Sequence, residues 1–332
     1  MPVSIRTTTI VRAGAIAALA ALALAGCAPA AATPSTTKTA ASSLKIDNCG
    51  TTEDFSGAAP KHVITIKSTS TEMLLALGLG KRIIGTGFQD GPVPEKWTKQ
   101  AASIPVLADK VPSQEVVLAK EPDLIYAGWE SNFSAQGVGE RADLQALGVK
   151  TYVSPAACKE PAYQPKKLGF DDISHEISEV ASIFKVSPDA LLASQKKELK
   201  SIKPSTAGLS ALWFSSGSDI PYVGAGIGAP ELILKTVGLK NIAGGIKDTW
   251  APYNWEAVIA ANPDVIVLVD ASWSTVDKKI GVLEANPATA KLDAVKNHRY
   301  LIVPFAASEA GVRTVSAAAD LSQQLAKLDL KK

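Results

Sequence analysis

The sequence predicts an α/β chain built as two similar lobes, each a sheet covered by helices, with a helical connector between them. Three observations carry that expectation. Residues 113–127 (SQEVVLAKEPDLIYA) recur in the second half as 254–268 (NWEAVIAANPDVIVL), pairing Glu115 with Glu256, Pro122 with Pro263 and Asp123 with Asp264. The runs that close the two copies, 124–127 and 265–269, are apolar without alternation, as strands covered on both faces must be. Between the copies, 170–184 places Ile173, Ile177, Val180, Ala181 and Phe184 at helical spacing.

The opening of the chain has Arg6 and Arg12, an Ala/Leu-rich run from Ala13, and then Leu24-Ala25-Gly26-Cys27. That pattern reads as a signal peptide over 1–26 ending in a lipobox, with cleavage before Cys27 and acylation of its thiol. The apolar run is shorter than the roughly 20 residues a membrane span needs. An ordinary secretory signal with an incidental Cys is the alternative. Residues 27–45 are rich in Ala, Pro, Thr and Ser and read as a disordered tether.

The first lobe, 46–167, starts its sheet at 63–66, followed by a capping loop 68–71 and a helix over 72–77 that stops at Gly78. A short unit follows at 82–85. The stretch 87–110 is an excursion with no counterpart in the second lobe. Ser113 then caps a helix that has Glu115 in its first turn, and Pro122 precedes the next strand. The connector, 168–204, holds the 170–184 helix and a second helix from Pro188. A helical crossing is stiffer than a hinge of strands, so little closure is expected. The second lobe, 205–332, repeats the plan: a strand at 209–214, a Gly-rich loop to Ala229, a helix over 230–237 closed by Gly238, a short unit at 241–244, and the second copy capped by Asn254. Each lobe is long enough to have a core of its own.

Composition narrows the function. Lys plus Arg number 34 and Asp plus Glu 32, and loss of Arg6 and Arg12 with the signal leaves the two signs equal. Such a balance argues against a nucleic-acid partner. The three histidines, His62, His175 and His298, are widely spaced, so no metal site is expected. With Cys27 acylated, Cys49 and Cys158 remain as an even pair in an oxidising compartment, where a disulfide is expected and two free buried thiols are the alternative. There is no Walker motif and no nucleophile elbow.

The segments 63–66 and 71–78, the paired Glu…Pro-Asp units and the 308–313 segment together resemble the substrate-binding proteins of ATP-driven importers for iron-siderophores, haem and cobalamin. The resemblance implies two Rossmann-like lobes joined by a long α-helix, with the ligand cleft between them. It also implies a lipid-anchored monomer on the outer face of the cell membrane, with no catalysis, delivering a small molecule to a permease dimer served by an ATPase. Segments 67–71, 87–92, 127–132 and 154–161 more closely resemble an actinobacterial branch proposed to bind a precursor of the deazaflavin coenzyme F-420. A deazaflavin precursor and a ferric siderophore are therefore both expected ligands. In the family, a glutamate on each lobe docks on permease arginines, and the matching positions are Glu115 and Glu256. Two equivalent carboxylates also suit a partner of twofold symmetry, although both could merely favour helix starts.

Ligands of open α/β sheets sit beyond the carboxyl ends of the strands. Loops there supply Phe88, Gln89, Trp129, Tyr222, Trp250 and Trp273, suited to a flat or bulky ligand. Arg313 could meet a ligand carboxylate or phosphate in bidentate fashion. Lys67, Ser68 and Thr69 stand at a helix start, a seat for an anion. The rival reading is a two-lobed extracytoplasmic enzyme such as a metal chelatase, which needs a clustered His/Glu set in the cleft.

Overall fold

The computed structural model describes residues 43–330. The expected signal peptide, Cys27 and nearly all of the tether lie outside the described residues. A hairpin of β1 (Lys45–Asn48) and β2 (Thr51–Asp54) comes first, where only the end of the tether and the start of a lobe were expected.

The first sheet contains β3 (Val63–Ile66), β4 (Ile83–Gly87), β5 (Val106–Ala108), β6 (Leu124–Ala127) and β7 (Lys150–Val153), in the order β5-β4-β3-β6-β7 and parallel throughout. The second contains β8 (Ser210–Ser216), β9 (Tyr222–Gly224), β10 (Lys240–Asn241), β11 (Trp250–Pro252), β12 (Val265–Asp270) and β13 (Tyr300–Pro304). Its order is β11-β9-β8-β12-β13, with β10 also on β8. The duplication is therefore topological: β4-β3-β6-β7 and β10-β8-β12-β13 are the same arrangement of parallel neighbours.

The helices are α1 (Ser68–Ala76), α2 (Thr98–Ala101), α3 (Gln114–Leu118), α4 (Arg141–Ala146), α5 (Phe170–Phe184), α6 (Asp189–Ser201), α7 (Ala229–Thr236), α8 (Trp255–Ala261), α9 (Val276–Ala285), α10 (Asp293–Lys296) and α11 (Thr314–Leu325). None of the described helices is long and apolar enough to cross a membrane. The caps behave as their residue types dictate. Ser113 Oγ accepts the Val116 N–H at 3.4 Å, and Asn254 Oδ1 accepts the Glu256 N–H at 2.6 Å.

Three expectations are corrected, and the excursion is placed. The capping loop at 68–71 is already helix, because Lys67 alone makes the turn from β3 into α1 at φ 79°. The excursion at 87–110 mainly adds β5 to the sheet edge, with Trp97 buried beneath it. The Gly-rich stretch after β8 is not all loop: a turn at Gly217 (φ 90°) returns the chain as β9, antiparallel to β8, and β11 pairs antiparallel with β9. Finally, the lobes do not have fully separate cores. One apolar cluster runs from Val63 and Tyr126 of the first sheet through Ile173, Ile177 and Val180 of α5 to Ala211, Trp213 and Val265 of the second. Only the outer faces have clusters of their own. The connector is two helices, since Lys185 at φ 57° and then Pro188 separate α5 from α6.

Candidate functional site

A cleft of about 530 Å3 opens between the sheets, bordered by residues that follow strands of both. The first sheet contributes Thr69 at the start of α1, Gly128 and Trp129 after β6, and Ser154 after β7. The second contributes Tyr222 on β9, Trp250 on β11, Asp248 before it, and Glu309 after β13. Cys158 lines the wall and is bonded to Cys49 with the Cα atoms 5.3 Å apart, which ties the β1–β2 hairpin to the cleft.

Phe305 is the centre of an aromatic cluster behind the cleft wall. Trp250 stacks on it at 5.8 Å with 19° between planes, while Trp129 and Trp273 meet it edge-on at 6.3 and 5.4 Å. Phe88 packs edge-on against Trp129 at 5.9 Å. Into this cage the chain inserts its own Lys67, whose Nζ lies 3.8 Å from the Trp129 ring centroid, 4.5 Å from that of Phe88 and 4.9 Å from that of Phe305. A desolvated cation over an aromatic face is worth about 2 kcal/mol. Lys67 is 1% exposed and forms an ion pair with the equally buried Asp90. The Asp90 carboxylate also accepts the Ser68 N–H at 3.3 Å, and the Asp90 N–H donates to Ser68 Oγ at 2.9 Å.

The carboxyl of Glu309 joins the two sides. Trp129 Nε1 donates to Glu309 Oε2 at 2.5 Å, which links the segment after β6 to the segment after β13. Burial pushes Glu309 up to about 7, against the opposing pull of Lys67. Beside it, Thr69 Oγ1 is buried without a hydrogen-bond partner in the protein. A Cβ at Gly128 would lie 2.4 Å from that hydroxyl and 2.8 Å from the Lys67 Cβ, so glycine is required for the strand end to approach α1. The unpartnered Thr69 hydroxyl, packed under Gly128, and the indole-bound Glu309 carboxyl are the polar groups that these residues bring to the cleft wall.

A model of the periplasmic binding protein family matches residues 63–307. The chain belongs to the periplasmic binding protein family. It is similar to the "Uncharacterized ABC transporter substrate-binding lipoprotein YvrC" of Bacillus subtilis (strain 168), at 27% identity over 297 residues, 87% of each chain. Among solved structures it resembles a periplasmic binding protein from Veillonella parvula, with TM-score 0.74, 28% identity and coverage of 85% of this chain and 97% of that one. It also resembles the "ABC-type Fe3+-hydroxamate transport system" of Saccharomonospora viridis in fold, with TM-score 0.72, 21% identity, and coverage of 85% and 98%.

Membership of this family assigns binding rather than catalysis. Of the residues expected to touch ligand, Thr69, Trp129, Tyr222 and Trp250 line the cleft, the last two from strands rather than loops. The others need correction. Lys67 and Ser68 do not form a free anion seat, because Asp90 already fills it. Arg313 does not line the cleft: its Nη1 pairs with the buried Glu72 at 3.2 Å, across the seam between α1 and α11. Phe88 supports Trp129 from behind. The Gln89 side chain folds back on its own loop, with Nε2 donating to the Gly87 carbonyl at 3.1 Å and Oε1 buried without a partner. Trp273 is 48% exposed and faces a different cavity.

Glu309, Phe305 and Asp248 were given no role by the sequence reading, and Asp90 was noted only as part of the 87–110 excursion. Glu309 falls in the 308–313 segment noted above, but nothing local distinguishes it from an exposed loop glutamate. No histidine lines the cleft. Among the described residues the tightest metal-type grouping is Cys49, Glu130 and Cys158, and its thiols are spent in the disulfide. Glu115 and Glu256 are exposed in the first turns of α3 and α8.

Proposed function

We propose that this protein is the solute-binding component of an ATP-driven importer. It is held at the outer membrane face through a lipid on Cys27 and passes its ligand to a permease that Glu115 and Glu256 engage. The observation that carries this reading is the cleft itself. It is a space for one bulky molecule, walled by Trp129 from one sheet and Trp250 and Tyr222 from the other, with Thr69 on its wall. The relatives from Bacillus subtilis and Saccharomonospora viridis support the same role.

The lining also selects among ligands. Its ionisable side chains, apart from Tyr222, are Asp248, Glu309 and Lys159, and it contains no arginine. A polyanion would meet more carboxylates than cations, so the cleft suits a neutral or cationic ligand. A deazaflavin precursor, flat and hydroxylated, fits the stacking faces and hydroxyl partners. An uncharged ferric hydroxamate is the second ligand of the right class, and the relative from Saccharomonospora viridis favours it. The chelatase alternative finds no support in a cleft without histidine.

Titrating the exported domain with a deazaflavin precursor, a ferric hydroxamate, haem and cobalamin, while following tryptophan fluorescence, tests this assignment. Saturable quenching by one of the first two is expected. Quenching confined to haem would refute the charge argument, and quenching by the hydroxamate alone would remove the deazaflavin.

A further inference from the structure

We propose that the second sheet carries a separate seat for a small oxyanion, in a cavity of about 320 Å3 beyond the end of β8. Its polar lining consists of Ser216, Ser218, Ser274, Lys278 and Lys279, and the rest is aromatic or aliphatic side chain or glycine. No lining residue is shared with the main cleft, and none is acidic.

The key group is Lys279, which is 1% exposed. Two of its three ammonium donors are committed, to the Ser274 carbonyl at 2.5 Å and to Ser274 Oγ at 3.0 Å. Both acceptors are neutral. The salt bridges formed among the described residues do not include Lys279. The contrast with Lys67 is instructive. Both lysines are fully buried, but Lys67 has the Asp90 carboxylate and Lys279 has only a hydroxyl, a carbonyl and the Trp273 ring at 5.8 Å.

A buried ammonium without an ion-pair partner is costly. Burial accordingly pushes Lys279 down to about 8; Lys278 adds to that effect and Asp270, at the end of β12, opposes it from longer range. An anion in the adjacent cavity would give Lys279 the ion-pair partner it lacks. The site is also built for one. The turn from Ala271 to Ser274, closed by hydrogen bonds in both directions between the two residues, fixes the Ser274 donor, and the exposed Lys278 stands at the rim. Carboxylate and phosphate groups share the required chemistry.

The test uses the whole exported domain at low ionic strength, titrated separately with inorganic phosphate and with acetate by calorimetry. The Trp273 indole N–H resonance, assigned with Trp273→Phe, provides a local readout. Saturable binding with a shift of that resonance is expected. Binding of both anions supports a general oxyanion seat, and binding of phosphate alone supports one for a tetrahedral dianion. Lys279→Met should weaken binding at least about tenfold, and Lys278→Ala severalfold. The proposal is overturned if neither anion saturates, or if Lys279→Met binds like the unsubstituted protein. Should Lys279→Met lack a cooperative melt, Lys278→Ala decides, and unchanged affinity in that variant overturns the proposal.

Discussion

Replacing Lys67 by Met removes the one cation that neutralises Asp90 inside the aromatic cage. Asp90 is 4% exposed, so its carboxylate is left buried without a partner charge. Breaking a buried pair from one side costs about 3–5 kcal/mol. At roughly 2 °C per kcal/mol for a domain of this size, the melting temperature should fall by about 6–10 °C. Asp90→Asn keeps the contacts with the Ser68 N–H and Oγ at the start of α1 but strands the Lys67 ammonium among Phe88, Trp129 and Phe305, and should cost a comparable amount. The double variant removes both charges together. Its loss should therefore be smaller than the sum of the single losses by about 2 kcal/mol or more, read by urea unfolding as a double-mutant cycle. Additive losses would refute the idea that the cage is organised around this ion pair.

Glu72, Glu176 and Glu309 are each raised from the usual 4.5 to about 7, chiefly by burial. Their folded-state values lie above the unfolded ones, so their contribution to stability is full below about pH 4.5 and is lost as the pH rises toward 7, by at most about 3 kcal/mol per carboxyl. Glu309→Gln should flatten the decline between pH 5 and 7, measured by unfolding at each pH, and an unchanged slope would count against the assignment. The Cys49–Cys158 bond closes a long loop, with a sequence separation of 109, so paired Cys→Ser replacement should cost about 2–5 kcal/mol; an unfolding midpoint insensitive to reductant would contradict this. Thr69→Val removes a hydroxyl with no protein partner, so stability should change by less than about 1 kcal/mol while ligand binding weakens severalfold; calorimetry showing intact affinity would remove Thr69 from the site.

Much of the architecture was readable because it is repeated. The non-alternating runs at β6 and β12, the caps Ser113 and Asn254 and the stops Gly78 and Gly238 all act through short-range physics, and they gave the correct element types. The antiparallel β9 and β11 were not readable: three-residue strands have too little pattern, and a Gly-rich stretch is equally good as loop. The merged core was hidden for a different reason. Residues such as Ile173 and Ile177 show that a helix face is buried, not which sheets bury it.

The site divides along the same line. Trp129, Tyr222 and Trp250 were legible as bulky rings in segments that follow strands. The partnerships Lys67–Asp90, Glu72–Arg313 and Trp129–Glu309 were not, because they join residues far apart in the chain and convert candidate ligand groups into internal supports. A charged residue at a predicted loop or helix start reads the same whether it awaits a ligand or is already satisfied.

The central claim is that one molecule is held by both sheets at once. Ligand affinity measured for Trp129→Ala and for Trp250→Ala, one substitution on each side of the cleft, tests it most directly. Each should weaken binding about tenfold or more, since loss of a buried aromatic face costs roughly 1–3 kcal/mol. A ligand that binds tightly to the folded protein and is indifferent to one of the two replacements would show that it does not bridge the sheets.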